Sequence, residues 1–508
     1  MAWCKLWSID RERVEALLLS GVLAEDVVMC THSQLDQVLD RLDELGLWTF
    51  LTQMPVKHGK GNAFPSPQML GSLAMLELMD GDTHLASAGK VLQNAALIER
   101  LGFNLELRDR RRQGEGFVSP NTLRNHLKRV PRGAGPKALL AQAQYMRQRK
   151  WLRGKEYAAD GTWLEVGKDT THEGAGKVWD KDEQRWAYGY KLMSLQNLTE
   201  GRPRIVAMDL AAINTDERQM LLQCLDSLVG QMGLQNLRQM IHLLTLDRGF
   251  WGAQFLYRLG HDYKLKFLIP GKRDLDLLQE AKAQQQLRKT EYRAYQVEDQ
   301  TTGRLHTIEL CGLENVALNG YSADGTGSGD VNVVLAREWM ETRVVRGKRE
   351  EAHWEEWYYV TNQPLGKDWL AIYLQYQRRW GIENQGFRQL KQRYHLEQLP
   401  GRSLNAIEAR TALVLMLYNA MSIVQMKYPD DGLRALALQR KLGEPTPLAK
   451  VTLAVYIGQT MALFPGTEYQ RLALIGERRR TLADVQAAVD GLELPAKLRA
   501  KLAKILQT

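Results

Sequence analysis

Hydrophobic and polar positions change their period twice along this chain. Up to about residue 150, apolar residues recur every three or four positions in "ERVEALLLSGVLAEDVV", "LDQVLDRLDELGLWTFL" and "PQMLGSLAMLELM", which predicts helices. In "FVSPNTLRNHLKRV", Ser119 can cap a further helix that begins at Pro120. From Tyr157 the period shortens. "EYAADGTWLEV", "RWAYGYKLMSLQN" and "RPRIVAMDLAA" predict three strands, the last two joined at "LTEG". A helical stretch, "TDERQMLLQCLDSLVGQM", then leads to a short apolar run that ends in Asp247. "WGAQFLYRLGHD" predicts a helix and "YKLKFLIPGK" a fifth strand. Three strands, helix, strand, helix, strand is an α/β order, in which a meander enters a partly parallel sheet.

Residues 285–363 lose helical periodicity. "TEYRAYQVED", "LHTIELCGL", "DVNVVLAREW", "ETRVVRG" and "HWEEWYYVTNQP" predict strands around a glycine-rich loop, "NGYSADGTGSGD", and together suggest an inserted antiparallel unit. From Trp369 helices return and run to the end, through "EARTALVLMLYNAMSIVQM" and "LADVQAAVDGLELPAKLRAKLAKIL". The expected organisation is a helical region 1–150, an α/β core split between 155–284 and 364–428, the β-rich block 285–363 inside it, and a helical region 429–508.

A chain of 508 residues exceeds what one hydrophobic core usually serves, which fits several domains. With 44% hydrophobic and 25% charged residues, the composition is that of an ordinary soluble protein. The longest apolar stretch, Ala412 to Met426, is interrupted by Asn419 and Gln425, so a buried helix is expected rather than a membrane span. Cys4, Cys30, Cys224 and Cys311 are scattered without a paired spacing, which argues against a zinc or disulfide framework and suits a reducing interior. The opening "MAWCKLWSIDRER" lacks a signal-peptide core, so a cytoplasmic protein without a membrane partner is expected.

The 68 basic against 59 acidic residues give +9, a moderate bias that permits a polyanionic partner. Local clusters say more. The helix starting at Pro120 presents Arg124, Asn125, Lys128 and Arg129 between "RDRRRQ" and "RQRKWLRGK". It is either a helix for a DNA groove or a solvated basic face.

Three acids stand out by position. Asp160 lies within the first strand of the core, Asp247 ends the fourth, and Glu383 is the single acid of "YQRRWGIENQGFRQLK", on a helix after the β-rich block. Carboxylates at the ends of adjacent strands repel unless a cation lies between them. Two divalent ions about 3.5–4 Å apart on such oxygens are suited to in-line displacement at a phosphodiester. Magnesium, with its preference for carboxylate and phosphate oxygens, fits best. Singly, each acid has a plainer reading: a turn at "DG", a helix cap at "DRGF", an ion pair of Glu383 with Arg379. Tyr376, Arg379 and Glu383, spaced by three and four, would share one helical face. There Arg379 could grip a backbone phosphate while Glu383 completes the metal shell.

On these residues the chain resembles bacterial insertion-sequence transposases with a DDE triad, in the group with a Y-x2-R-x3-E-x6-K signature and a β-strand insertion before the last acid. The matching residues are Asp160 in "ADGTW", Asp247 in "LDRGF", and Tyr376, Arg379 and Glu383 in "YQRRWGIEN". "YGYKL" (188–192), "NTDE" (214–217) and "VTNQP" (360–364) look like that group's connecting segments. The likeness spans roughly Tyr157 to Met421. It implies an RNase H-like core with the β insertion, flanked by helical N- and C-terminal regions, and Asp160, Asp247 and Glu383 as catalytic metal ligands. It further implies two Mg2+ ions, with Mn2+ able to substitute, strand cleavage at terminal inverted repeats of double-stranded DNA, transfer into target DNA, and a homodimer on that DNA. Tyr376, Arg379, Arg388, Lys391, Arg124 and Lys128 would then contact DNA. Trp354 and Trp357 are the candidates for stacking on a flipped base, as a tryptophan of the insertion does in some relatives. A nuclease of the same fold without strand transfer, or an idle DNA-binding repressor, shares much of this pattern. One position departs from the signature: Leu390 stands where lysine is expected and Lys391 follows it. On a regular helix that turns the ammonium by about 100°. A π-bulge near Gly386 would restore the register, or the long lysine stem would reach across.

Overall fold

The computed structural model describes residues 8–29, 33–56, 66–78, 120–169, 171–198, 203–298, 305–340, 348–379, 382–428, 452–458 and 460–490, with short pieces at 3–4, 85, 101, 108–109 and 343–345. The chain divides into two compact units, one of residues Arg132–Ser422 and one of Met1–Pro131 with Ile423–Thr508.

The Arg132–Ser422 unit is a mixed α/β structure. Its strands are β1 (Glu156–Glu165), β2 (Gly176–Asp180), β3 (Arg185–Asn197), β4 (Arg204–Ala212), β5 (Leu243–Leu246), β6 (Lys266–Pro270), β7 (Arg293–Glu298), β8 (Leu305–Asn319), β9 (Ser328–Met340) and β10 (His353–Thr361). Its helices are α1 (Ala134–Gln148), α2 (Glu217–Met232), α3 (Leu234–Met240), α4 (Ala253–His261), α5 (Asp276–Arg288), α6 (Trp369–Gln377), α7 (Arg388–Arg393) and α8 (Leu404–Lys427), the last running on past the unit's end. The strands form one ten-stranded sheet in the order β7-β8-β9-β10-β6-β5-β1-β3-β2, with β4 also pairing β3. β1, β5 and β6 are parallel neighbours, and the rest pair antiparallel. The meander feeding a parallel centre is the arrangement the strand–helix order predicts.

Apart from a small two-stranded sheet of Arg343–Val345 with Lys348–Glu350, the β-rich block does not form a sheet of its own. β10 pairs antiparallel with β6, from Leu268↔Thr361 to Pro270↔Tyr359, so the block extends the core sheet. "VTNQP" makes that junction. The Thr361 hydroxyl donates to the Phe267 carbonyl at 2.5 Å. Asn362 accepts from the Phe267 N–H at 2.9 Å and donates to the Leu265 carbonyl at 3.0 Å. Backbone groups at the end of β6 are thus satisfied by side chains, which a buried strand requires. β2 pairs the first part of β3 through alternating half-buried and exposed positions, and its short polar sequence gave no period-2 signal beforehand.

α6 lies on the face of β6 and β8–β10. Trp369, Ile372, Tyr373 and Tyr376 join Leu268, Ile308, Val334 and Tyr359 in one buried cluster. A Cβ on Gly312 of β8 would meet the Trp369 ring within 2.3 Å, so only glycine leaves room for that indole. α8 is long and apolar enough to cross a membrane by composition, yet its apolar window is buried throughout. Asn419, the interruption noted in its sequence, has its amide fully engaged. It donates to Gln142 Oε1 at 3.0 Å and to the Ile205 carbonyl at 2.8 Å, and it accepts from the Ile205 N–H at 2.9 Å. The helix is a core helix, as expected.

The second unit departs from the all-helical expectation for both flanks. Thr452–Ile457 and Thr460–Pro465 form a hairpin that pairs with Asp26–Met29 on one side and Ser8–Ile9 on the other, a four-stranded sheet drawn from both ends of the chain. Leu453, Val455 and Ile457 point into a core with Ala462, Phe464, Val14 and Leu18. This is period-2 patterning in a stretch expected to be helical, and Gly458, at φ +61°, makes the turn. Helices Arg11–Leu19 and Gly466–Asp490 pack together so closely that a Cβ on Gly476 would lie 1.9 Å from the Leu18 carbonyl oxygen. The helix expected at Pro120 is present as Pro120–Lys128; the Ser119 cap and Arg110, Arg111 and Arg112 lie outside the described residues.

Candidate active site

The parallel pairing of β1 with β5 aligns Ala159 with Leu246. The next residue on each strand is an acid, so Asp160 and Asp247 stand side by side where β5 gives way to a loop. β5 is buried along its whole length, which leaves Asp247 as the first position able to meet solvent. Each carboxylate is oriented by the N–H of the residue after it: Gly161 donates to Asp160 at 2.8 Å and Arg248 to Asp247 at 2.5 Å. For Asp247 this is the cap of the 3-10 turn Arg248–Phe250. The plainer cap reading and the site reading therefore describe the same carboxylate.

Arg379 faces Asp160 at 3.8 Å and is 3% exposed, with its guanidinium 5.5 Å from the Tyr376 ring centre. Tyr376 is itself 9% exposed and tilts against Tyr359 at 4.9 Å. The open aromatic–cationic face expected from helical spacing is thus turned inward. The reason is local. α6 stops at Gln377, and Arg379 and Ile382 continue by i→i+3 contacts to the carbonyls of Tyr376 (3.0 Å) and Arg379 (2.8 Å), so 376–391 is not one helix. Arg378, one residue earlier, points the other way and pairs with Glu156 at 2.5 Å, more than half exposed.

Glu383 lies in a π-helical segment, Ile382–Phe387, that packs against β1; its side chain, and residues Trp380 and Gly381, are outside the described set. A Cβ on Gly386 would come within 2.8 Å of Gln196 Oε1, so glycine lets this segment approach β3 two residues beyond Ser194, the partner of Asp160 in the sheet. A π turn takes up one more residue than an α turn. That is the single residue by which Lys391 lies beyond the signature position. Leu390 is correspondingly buried at 0%, while Lys391 is part-exposed and pairs with Glu397 at 2.7 Å. Arg388 is exposed and reaches Gln392.

Among the described residues, no three His, Cys, Asp or Glu side chains stand close enough together to hold a metal ion, and the Glu383 side chain is not among them. What is present fits a hard divalent cation: two carboxylates side by side, oxygen donors only, each fixed by a backbone N–H. Glu217, not singled out from the sequence, packs against the other face of β1, on the side of Gly161 rather than of the Asp160 carboxylate. Its Oε1 would lie 3.0 Å from a Cβ on Gly161 and its Oε2 3.3 Å from one on Gly249. The signal available in the sequence was its place in "NTDE".

The other candidates lie apart from these acids in the sequence. Trp354 on β10 is 41% exposed and meets the 49%-exposed Trp339 edge-on at 5.6 Å, with Arg337 stacked 4.8 Å above its ring. Trp357 instead packs on the core cluster and donates to the Tyr359 hydroxyl at 2.8 Å. In the second unit, helix Pro120–Lys128 buries Leu123, His126 and Leu127 and exposes Asn125 and Lys128, while Arg124 donates to Asn121 at 2.7 Å.

Residues 152–420 match the family described as a transposase DDE domain. The matched span nearly fills the Arg132–Ser422 unit. No curated protein matches the chain.

Proposed function

Because the chain belongs to the DDE-domain transposase family, we propose that it cuts DNA at the terminal inverted repeats of an insertion sequence and joins the freed ends to target DNA. The observation that carries this reading is the register of β1 on β5, which sets Asp160 beside Asp247, together with the π segment bearing Glu383 against β1. In this reading the core is RNase H-like, β7–β10 are its insertion, and the three acids are the metal ligands. Two Mg2+ ions, or Mn2+ in their place, would supply an activated hydroxyl nucleophile and neutralise charge on the leaving oxygen.

The chain's own residues do the rest. Asp160 and Asp247, oriented by their neighbouring N–H groups, form the base of the site. Arg379, buried beside Asp160, holds that carboxylate in place, and Tyr376 backs it. This replaces the direct phosphate grip expected of the pair. Exposed Arg388 and part-exposed Lys391, which would exchange its Glu397 partner, would meet the phosphate backbone, with Arg124 and Lys128 contributing to recognition of the ends from the helical region before residue 150. Trp354, with Trp339 beside it, offers the aromatic face on which an unstacked base can rest. A second copy of the chain would complete the assembly on DNA, acting in the bacterial cytoplasm.

The test is a mini-element bearing the element's own terminal repeats, incubated with purified protein and Mg2+. Joined product is expected. Nicks without joining would select a nuclease, and a gel shift without cleavage a binding protein. Asp160→Ala, Asp247→Ala and Glu383→Ala should each abolish cleavage while leaving end binding largely intact; cleavage retained in any of them removes that residue from the triad.

A further inference from the structure

β2 and β3 run on as a two-stranded ribbon where the neighbouring strands stop. The pairing of β1 with β3 ends at Gly189 and that of β4 at Tyr190, whereas β2 stays paired with β3 as far as Arg185. Gly189 marks the root of the ribbon: its φ is +140°, and a Cβ there would lie 2.1 Å from the Leu164 carbonyl oxygen. Beyond it, Trp179 and Trp186 stand directly opposite each other, 41% and 50% exposed, with their rings edge-on at 5.4 Å. Two adjoining indoles left in water are apolar surface that a fold would otherwise bury, and such patches mark contact sites. The Lys177 ammonium lies 5.3 Å from the centre of the Trp186 ring and makes no ion pair among the described residues.

The ribbon continues the strand on which Asp160 is paired. Ser194 is the partner of Asp160, and Tyr190, Tyr188 and Trp186 follow from it at even spacing, with no shift of register against β1 or β2. That spacing sets their side chains on the Asp160 side of β3. The Tyr190 hydroxyl donates there to the Glu173 carbonyl at 2.6 Å, and the Glu173 N–H donates at 3.0 Å to the carbonyl of Arg402, in the loop after α7. Arg402 is exposed, and among the described residues its guanidinium bonds only the Thr171 hydroxyl, at 3.4 Å. The acids nearby are engaged. Glu173 accepts from the Leu404 N–H, Glu165 and Glu183 hold Arg185, and Asp180 accepts from two N–H groups of the ribbon's tip, which leaves only the exposed Asp182 at that tip.

Two cations without carboxylate partners and two open indoles, leading away from the acids on one side of a strand, suit a ligand that carries both phosphates and flat bases. We propose that the β2–β3 ribbon is a second DNA subsite, where an unpaired base stacks against the Trp179–Trp186 pair while Arg402 and Lys177 take phosphates of the same strand. This rests on the reading given above that the chain acts on DNA. The eight residues from Trp186 to Ser194 span at most roughly 26 Å. With about 3.4 Å per nucleotide, the stacked base would lie up to about eight nucleotides from the phosphate at the acids.

The test uses the full-length protein in EDTA, so that nothing is cut, with Trp354→Ala as the background so that the aromatic face of β10 does not mask the ribbon. Fluorescein-labelled oligothymidine is titrated and its anisotropy followed. Trp179→Ala combined with Trp186→Ala should raise the dissociation constant by about tenfold, and Trp186→Phe should stay close to the background protein. Lys177→Ala should lower the slope of log affinity against log salt by about 0.7, the share of one phosphate contact on a single strand. Melting reports folding separately, and Lys177→Ala carries the test if the double variant melts early. Unchanged affinity and slope, or no oligothymidine binding by the background protein, would overturn the subsite; duplex terminal repeat still bound would then leave the transposase reading standing. Loss of self-association in the double variant at unchanged oligothymidine affinity would make the pair a contact between copies and likewise overturn it. If the wild type binds neither oligothymidine nor the terminal-repeat duplex, the DNA reading falls and the subsite with it.

Discussion

At the scale of single residues, the basic groups expected to contact DNA divide by burial rather than by charge. Arg379 is 3% exposed and faces Asp160, whereas Lys128 stands in solvent on its helix. A buried guanidinium cannot displace counterions from DNA, but an exposed ammonium can. Each phosphate contact contributes about 0.9 to the slope of log affinity against log salt. Lys128→Ala should therefore lower that slope by about one in a filter-binding titration on terminal-repeat DNA, with a uniform loss across sequences. Arg379→Lys should leave the slope unchanged and cut the single-turnover cleavage rate by at least tenfold, because a lysine retains the charge but not the planar fork that faces the carboxylate. A lowered slope in the Arg379 variant would return this residue to the DNA surface. Helical spacing groups Tyr376, Arg379 and Glu383 on one face. That spacing does not reveal that Tyr376 and Arg379 are interior, because the helix stops at Gln377 and no spacing says which side faces the core.

At the scale of elements, what was legible followed periodicity. Arg185–Asn197, Arg204–Ala212 and Glu217–Met232 are long, with apolar positions at the spacing of their element, and the structure forms each where that spacing placed it. The hairpin of 452–465 also carried its alternation, but it lies between helical stretches and its partner strands are more than 400 residues away in sequence, so nothing local announced a sheet. The π segment is a different case. Its trace was a one-residue slip between Glu383 and Lys391, with Gly386 between them. Gly386 faces Gln196, which is fully buried and tied to Ser194 through its amide at 2.8 Å. An added methyl cannot be accommodated by a side chain so held, and overpacking of this kind costs about 1–3 kcal/mol. Gly386→Ala should thus push the π segment off β3 and carry Glu383 with it. Cleavage should fall at least tenfold, while the melting midpoint drops by only a few degrees. A variant that melts lower yet cuts at the wild-type rate would mean that the close approach serves packing alone.

At the scale of the whole molecule, the sheet explains why the site is where it is. The parallel pairing of β1 with β5 brings Asp160, in the middle of β1, beside Asp247, just past the end of β5, although the two are distant in sequence. The insertion does not interrupt that pairing, because β10 docks on β6 and leaves the β1–β5 junction untouched. In the proposed metal reading, neighbouring carboxylates repel in the folded state and a bound cation would relieve that repulsion. Ligands that bind only the folded form stabilise by RT ln(1 + [L]/Kd), about 2.7 kcal/mol at a hundredfold excess over Kd. For a cooperative unit of this size each kcal/mol moves the melting midpoint by roughly 2–4 °C. Saturating Mg2+ should accordingly raise the midpoint of the wild-type protein by several degrees over EDTA. Asp247→Asn removes one of the repelling charges but keeps an oxygen for the Arg248 N–H, so in EDTA it should melt no lower than wild type and in Mg2+ gain almost nothing. The two curves separate charge relief from cap loss: if Asp247→Asn melts lower in EDTA and still responds to Mg2+, the carboxylate is a cap that stabilises the 3-10 turn, and the ion is held elsewhere.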